Sequence, residues 1–148
     1  MGQYWRNDYI YKVKSMISDF NLGDLYKHKF KITDEIVDKF IDLSNDKNPL
    51  HVDDQFAIDK GFKSKVIQGN LQNCFISYFI GECLPCKNVM ILSQTIKYKN
   101  PLYLNETIFL NVKICGVFDS VGLIEFDFNF KNEFDKIISN GKIKIKLI

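Results

Sequence analysis

The sequence contains no apolar run near the ~18 to 20 residues that a membrane-crossing helix needs. Its charged first 15 residues lack the apolar core of a secretory signal. Neither charge is in excess: 20 Lys and Arg stand against 18 Asp and Glu, a net charge of +2. The lysines are scattered among the acids, which argues against a nucleic-acid surface. Histidine is scarce, with only His28 and His51. There is no internal repeat, low-complexity segment or linker. A cytoplasmic protein with no membrane insertion is the expectation.

Cysteine is present four times, and nothing else in the chain looks secreted, so disulfides are not favoured. Cys83-Leu84-Pro85-Cys86 has the spacing of half a zinc site or of a redox pair. Cys74 and Cys115 supply no second close spacing for a closed metal site. A redox pair belongs at a helix N-terminus, whereas this one follows a helix. Reduced structural cysteines, with no metal site, are the better reading.

What is present is enough for one domain with a sizeable core: 148 residues, 46% hydrophobic, with 13 phenylalanines. Residues 1–20 form an N-terminal extension in which Tyr9, Val13, Ile17 and Phe20 recur at near-helical spacing. Residues 21–148 form the domain. Tyr26 to Ile32 reads as a strand, and Thr33 caps a helix whose buried stripe is Ile36, Val37, Phe40 and Ile41. A helical turn over Asp54 to Asp59 follows, capped by Asp53. A second, long helix opens at Gln68-Gly69-Asn70 and runs to about Gly81 or Glu82, apolar nearly all round and hence buried, before Pro85.

Four strands complete the chain: Val89 to Lys99, Thr107 to Phe118, Val121 to Lys131 and Lys136 to Leu147. Ile124, Phe126, Phe128 and Phe130 alternate with polar residues, as do Ile143, Ile145 and Leu147 with lysines, so one sheet face is buried. Asp119-Ser120 marks a hairpin turn and Asn140-Gly141 a kink or bulge. The fold class is α+β: an antiparallel sheet of about five strands wrapped around a central helix.

The stretch from Phe40 to Asp53 organises the chemistry. It begins as an amphipathic helix that Pro49 forces to end near Asp46. Asp46 and His51 then lie on either side of a tight turn. Their spacing of five is poor for one helix face, but across a turn it aims a carboxylate and an imidazole into one cleft. Such a pair can hold a water, orient it and take its proton. Read singly, Asp46 is a turn residue and His51 a core histidine. His28, inside the first strand, reads as structural, and Asn48 braces the turn through its side chain.

This stretch resembles the signature of the MaoC-like, (R)-specific enoyl-CoA hydratases, Ser-Gly-Asp-x-Asn-Pro-Leu-His with a later Ala. Ser44, Asp46, Asn48, Pro49, Leu50, His51 and Ala57 match, and Asn45 stands where that family usually has Gly. Val66-Ile67-Gln68-Gly69 is similar to its Val-His-Gly-Met segment, and Lys99 to Tyr103 to its Lys-Pro-Val strand ending. The likeness spans roughly residues 22 to 148. It departs at Gln68 and Asn70, where the family has His and Met, and at Lys65, where it often has Pro.

The resemblance implies a hot-dog fold, a homodimer, and reversible hydration of a trans-2-enoyl thioester to its (R)-3-hydroxyacyl form. Asp46 and His51 would be catalytic, and the Gly69 N–H would donate to the thioester oxygen at a helix start, where amides are unpaired and the dipole favours negative charge. Gln68, Asn70 and Ser77 are pocket candidates, Ser77 equally readable as a small packing residue. No metal or redox cofactor is implied; CoA or the pantetheine of an acyl carrier protein belongs to the substrate. Lys63, Lys65, Lys97 and Lys99 could meet CoA phosphates, although solvated charge explains them as well. The alternatives are a dehydratase of a polar or modified substrate in a secondary or glycan pathway, a non-catalytic acyl-thioester-binding subunit, and thioesterase chemistry.

Overall fold

Five strands carry the alternating patterns of the sequence: β1 (Leu25–Lys31), β2 (Val89–Tyr98), β3 (Thr107–Phe118), β4 (Leu123–Asn132) and β5 (Ile137–Leu147). They pair antiparallel in one sheet of order β1-β3-β4-β5-β2. The computed structural model describes residues 16–148. Tyr9 and Val13, expected on an N-terminal helix, lie outside them, whereas Ile17 and Phe20 are buried in the main core.

In the central strand β4, Ile124, Phe126, Phe128 and Phe130 all point inward and are essentially buried. The opposite face of the β4–β5 ladder carries ion pairs, Asp127–Lys142 at 3.2 Å and Glu125–Lys144 at 2.6 Å. Gly141 sits in regular register, not at the expected kink. Its role is closeness: a Cβ there would lie 1.8 Å from the Thr95 carbonyl oxygen. The ladders instead skip Leu92, Cys115 and Ile138, where the strands bulge and the sheet gains curvature. The hairpin turn expected at Asp119-Ser120 extends to Gly122, which has φ 63°.

The helices are α1 (Asp34–Ser44), α2 (Pro49–Val52), α3 (Asp54–Asp59) and α4 (Leu71–Tyr78), the last continuing into a π-helical turn, Phe79–Cys83. Thr33 caps α1 by accepting the Ile36 N–H. Helix α4 lies on the concave face of the sheet. Phe75 stacks on Phe30 of β1, centroids 4.3 Å apart, and meets Phe130 of β4. Phe79 meets Tyr26 and Phe126 edge-on. These ring pairs add to the area they bury.

Helix α4 differs from expectation in two ways. It is broken into an α and a π segment, the π turn carrying the buried Phe79 and Ile80. It is also not buried all round, because Cys74, Ser77, Tyr78 and Gly81 form an exposed stripe. Beside it, edge strand β2 exposes Met90, Ile91 and Leu92. A sheet curved around one helix is the hot-dog fold. No helix among the described residues is long and apolar enough to cross a membrane.

Candidate active site

Helix α1 ends one residue before the chemistry starts. Asn45 takes φ 52°, and its N–H closes on the Ile41 carbonyl. That left-handed turn is why a glycine or an asparagine suits this position. A run of side-chain-to-backbone bonds then shapes the loop. Ser44 Oγ accepts from the Asp46 N–H (3.2 Å), Asp46 Oδ1 from the Asn48 N–H (3.2 Å), and Asn48 Oδ1 from the Leu50 N–H (3.0 Å). Pro49 opens α2, which carries His51. Asp53 caps α3 by accepting the Phe56 N–H at 3.1 Å.

The loop brings the carboxylate and the imidazole together. Asp46 Oδ2 lies 3.8 Å from His51 Nε2, too far for a direct hydrogen bond and near enough for one water to touch both. The other ring nitrogen, Nδ1, is 2.6 Å from the Val66 carbonyl oxygen. A carbonyl can only accept, so Nδ1 carries the proton, and in the neutral ring Nε2 is left as the base. The His51 side chain is 17% exposed and that of Asp46 43%.

Both line a cavity of about 540 Å³ together with Gln68, Gly69 and Asn70. The first turn of α4 is tight, with Gln72 N–H on the Gly69 carbonyl and Asn73 N–H on that of Asn70. The amides of Gly69 and Asn70 have no hydrogen-bond partner among the described residues. They are two unpaired donors beside a helix start, in the same cavity as the acid/base pair.

Of the residues expected at the site, two lie elsewhere. Ser77 faces outward on the exposed stripe of α4 and does not line the cavity. Asn48 stays outside it as well, its side chain spent on the turn. Among the lysines, Lys99 borders the cavity. Lys63 is taken by Glu106 at 3.0 Å and by the Tyr103 ring. His28 packs against Tyr78 and Phe79. Cys83 Sγ lies 3.8 Å from His28 Nδ1, and Cys74, Cys83, Cys86 and Cys115 are all free thiols.

Three contributors escape a reading of the sequence. Tyr98 packs its ring on Gly69 and donates its hydroxyl to Asn70 Oδ1 at 3.1 Å. Val66 fixes the His51 tautomer. Gln72, buried, lines the cavity and accepts from the Ser139 hydroxyl. Gln72 alone left a trace, as a polar residue three and four positions before the buried Phe75 and Ile76.

Known proteins resemble this chain in sequence and in fold. The MaoC like domain family matches residues 22–126. The chain belongs to that family. An (R)-specific enoyl-CoA hydratase from Rhodospirillum rubrum is 31% identical over 87 residues, 59% of this chain and 60% of that protein. One from Aeromonas caviae is 31% identical over 78 residues, 53% of this chain and 58% of that protein. The MaoC-like chain thus spans about three fifths of the length of these two relatives. A mitochondrial 3-hydroxyacyl-[acyl-carrier-protein] dehydratase from Arabidopsis thaliana is 23% identical, covering 82% of this chain and 74% of that one. A solved (R)-hydratase structure from A. caviae superposes with a TM-score of 0.81 at 22% identity, covering 87% of this chain and 98% of that one. That match shows that the MaoC-like chain shares its fold.

Proposed function

We propose that this protein is a hydro-lyase that reversibly hydrates a trans-2-enoyl thioester, of CoA or of acyl carrier protein, to the (R)-3-hydroxyacyl thioester. The observation that carries the reading is the placement of Asp46 Oδ2 and His51 Nε2, 3.8 Å apart, in the cavity that the Gly69 amide also lines.

Asp46 accepts one hydrogen of the water and orients it, and His51 Nε2 takes the other as the oxygen bonds to C3. The C2–C3 π electrons shift toward the thioester, whose oxygen gains negative charge and is held by the Gly69 N–H. The imidazolium, still on the face that delivered the oxygen, returns a proton to C2. Water has then been added syn and both side chains are restored. The reverse order of steps is the dehydration. No electrons leave the substrate, so the reading requires no redox cofactor, and the amide donors take the part a Lewis acid would otherwise play. CoA or pantetheine enters as part of the substrate.

A homodimer belongs to the same reading. Edge strand β2 leaves Met90, Ile91 and Leu92 exposed, and an open apolar strand edge calls for a partner. Four free thiols fit a reducing compartment, so we assign the protein to the cytoplasm.

The test is hydration of crotonyl-CoA and longer enoyl-CoAs by wild type, Asp46→Asn and His51→Ala. The reading expects turnover by wild type and its loss in both variants. Equal rates in all three would remove the proposed roles, and release of free thiol would point to thioester hydrolysis instead.

A further inference from the structure

The buried end of the cavity is not an alkyl pocket. Gln68 and Gln72 are 3% and 2% exposed, and both line it beside Ile67 and Leu102. Gln72 is satisfied there by the Ser139 hydroxyl. Gln68 is not. Its Nε2 donates to the Asp46 backbone carbonyl at 3.3 Å, which fixes the amide's orientation and turns Oε1 the other way. Oε1 is the one buried side-chain oxygen or nitrogen without a hydrogen-bond partner among the described residues. A buried acceptor left alone carries a desolvation penalty, which a donor brought by a ligand would cancel.

The proposed reaction says which part of the ligand can reach it. With the thioester oxygen on the Gly69 amide and C3 at the Asp46/His51 pair, one direction out of the site leads past the exposed Asn70, Tyr98 and Lys99. A CoA or carrier protein, large and charged, has to leave that way. The acyl remainder beyond C3 then turns toward the buried end, where Gln68 sits.

Resting on the hydratase reading above, we propose that the preferred acyl group carries an O–H or N–H donor beyond C3, and that Gln68 Oε1 recognises it. Gln68 is then a specificity residue: it bonds the Asp46 backbone carbonyl rather than either reacting side chain, and it selects which enoyl thioester is served. A plain alkyl tail would leave Oε1 unpaired, and a site built to pair a polar group rejects an analogue that lacks it.

Saturated thioesters test this without turnover, since they offer neither an alkene nor a 3-hydroxyl. Isothermal titration calorimetry would compare butyryl-CoA with 4-hydroxybutyryl-CoA, and pentanoyl-CoA with 5-hydroxypentanoyl-CoA, on wild type and Gln68→Met. The expected result is that at least one hydroxylated ligand binds wild type on the order of tenfold more tightly than its alkyl counterpart. In Gln68→Met that advantage shrinks to within about twofold. The proposal is overturned if neither hydroxylated ligand is favoured by wild type, a comparison that needs no variant, or if the advantage survives in a folded Gln68→Met protein. Crotonyl-CoA hydration on the same samples separates the two claims. Turnover without a hydroxyl preference removes the donor and leaves the hydratase; no turnover together with no binding of any of the four thioesters removes both.

Discussion

The ring of Tyr98 fills the space that a side chain at Gly69 would need, with two ring carbons 2.8 Å from where a Cβ would stand. Two demands meet at this residue. On the proposed reading the amide must be bare for a substrate oxygen, and the Cα must be bare for an aromatic neighbour.

Gly69→Ala should therefore displace Tyr98 and break its bond to Asn70. Tyr98 is nearly half exposed and has room to swing, so the stability cost should be about 1 kcal/mol, the worth of one hydrogen bond. Tyr98→Ala should cost a similar amount, and the double variant less than the sum. Denaturant unfolding of all four proteins measures that coupling. Additive costs would mean that the ring and the glycine do not meet.

Asp46→Asn isolates the chemistry from the turn. An asparagine Oδ1 can still accept the Asn48 N–H, so the loop should keep its shape while the charge is lost. Hydration should fall by about 10²- to 10⁴-fold with an unchanged melting temperature. Asp46→Ala should lose activity to a similar degree and also about 0.5–2 kcal/mol of stability, by analogy with a lost cap. Steady-state rates beside thermal melts distinguish the two.

Gly141→Ala should be the most damaging single-methyl change in the sheet. The added carbon would meet the Thr95 carbonyl at 1.8 Å and the Phe128 ring at 2.8 Å, and backbone cannot swing aside as Tyr98 can. A loss above about 3 kcal/mol is expected, seen as low soluble yield or a sharply lowered melting temperature.

If β2 is the subunit edge, Ile91→Asp combined with Leu92→Asp should convert a dimer to a monomer, read by light scattering behind a sizing column. A dimer mass unchanged by both charges would move the interface elsewhere.

Alkaline pH should weaken the fold. Burial raises the thiols of Cys83 and Cys115 and the phenols of Tyr26 and Tyr98 above their ordinary values. Each is neutral when protonated, so the folded chain holds these protons more tightly than the unfolded one. The stability they contribute is complete below the unfolded pKa and is lost as pH rises through the folded one. Melting temperature should fall first above about pH 8.5, from the thiols, and again above about pH 10, from the phenols. Cys83→Ser with Cys115→Ser should remove the first step.

The strands were legible because burial on one face imposes period two, and Ile124 to Phe130 state it without interruption. The turn was legible because Pro49 permits few alternatives. The extent of the central helix was legible, but its π turn was not, because an apolar run does not say whether its turns are α or π, and its exposed stripe was hidden because Tyr78 and Cys74 count as apolar. A glycine by itself does not tell positive φ from close approach, so in the sequence Gly141 reads as a kink or bulge. Tyr98 left no sign, since its partner lies 29 positions away and only the curvature of the sheet brings them together.

One oxygen of the Asp46 carboxylate is tied to the Asn48 amide, and one nitrogen of the His51 ring to the Val66 carbonyl. Each group therefore has a single free atom and cannot flip to offer the other. On the proposed reading, water is presented to a planar alkene from one side only, so the handedness of the product would depend on these two backbone anchors together with the way the cavity seats the alkene.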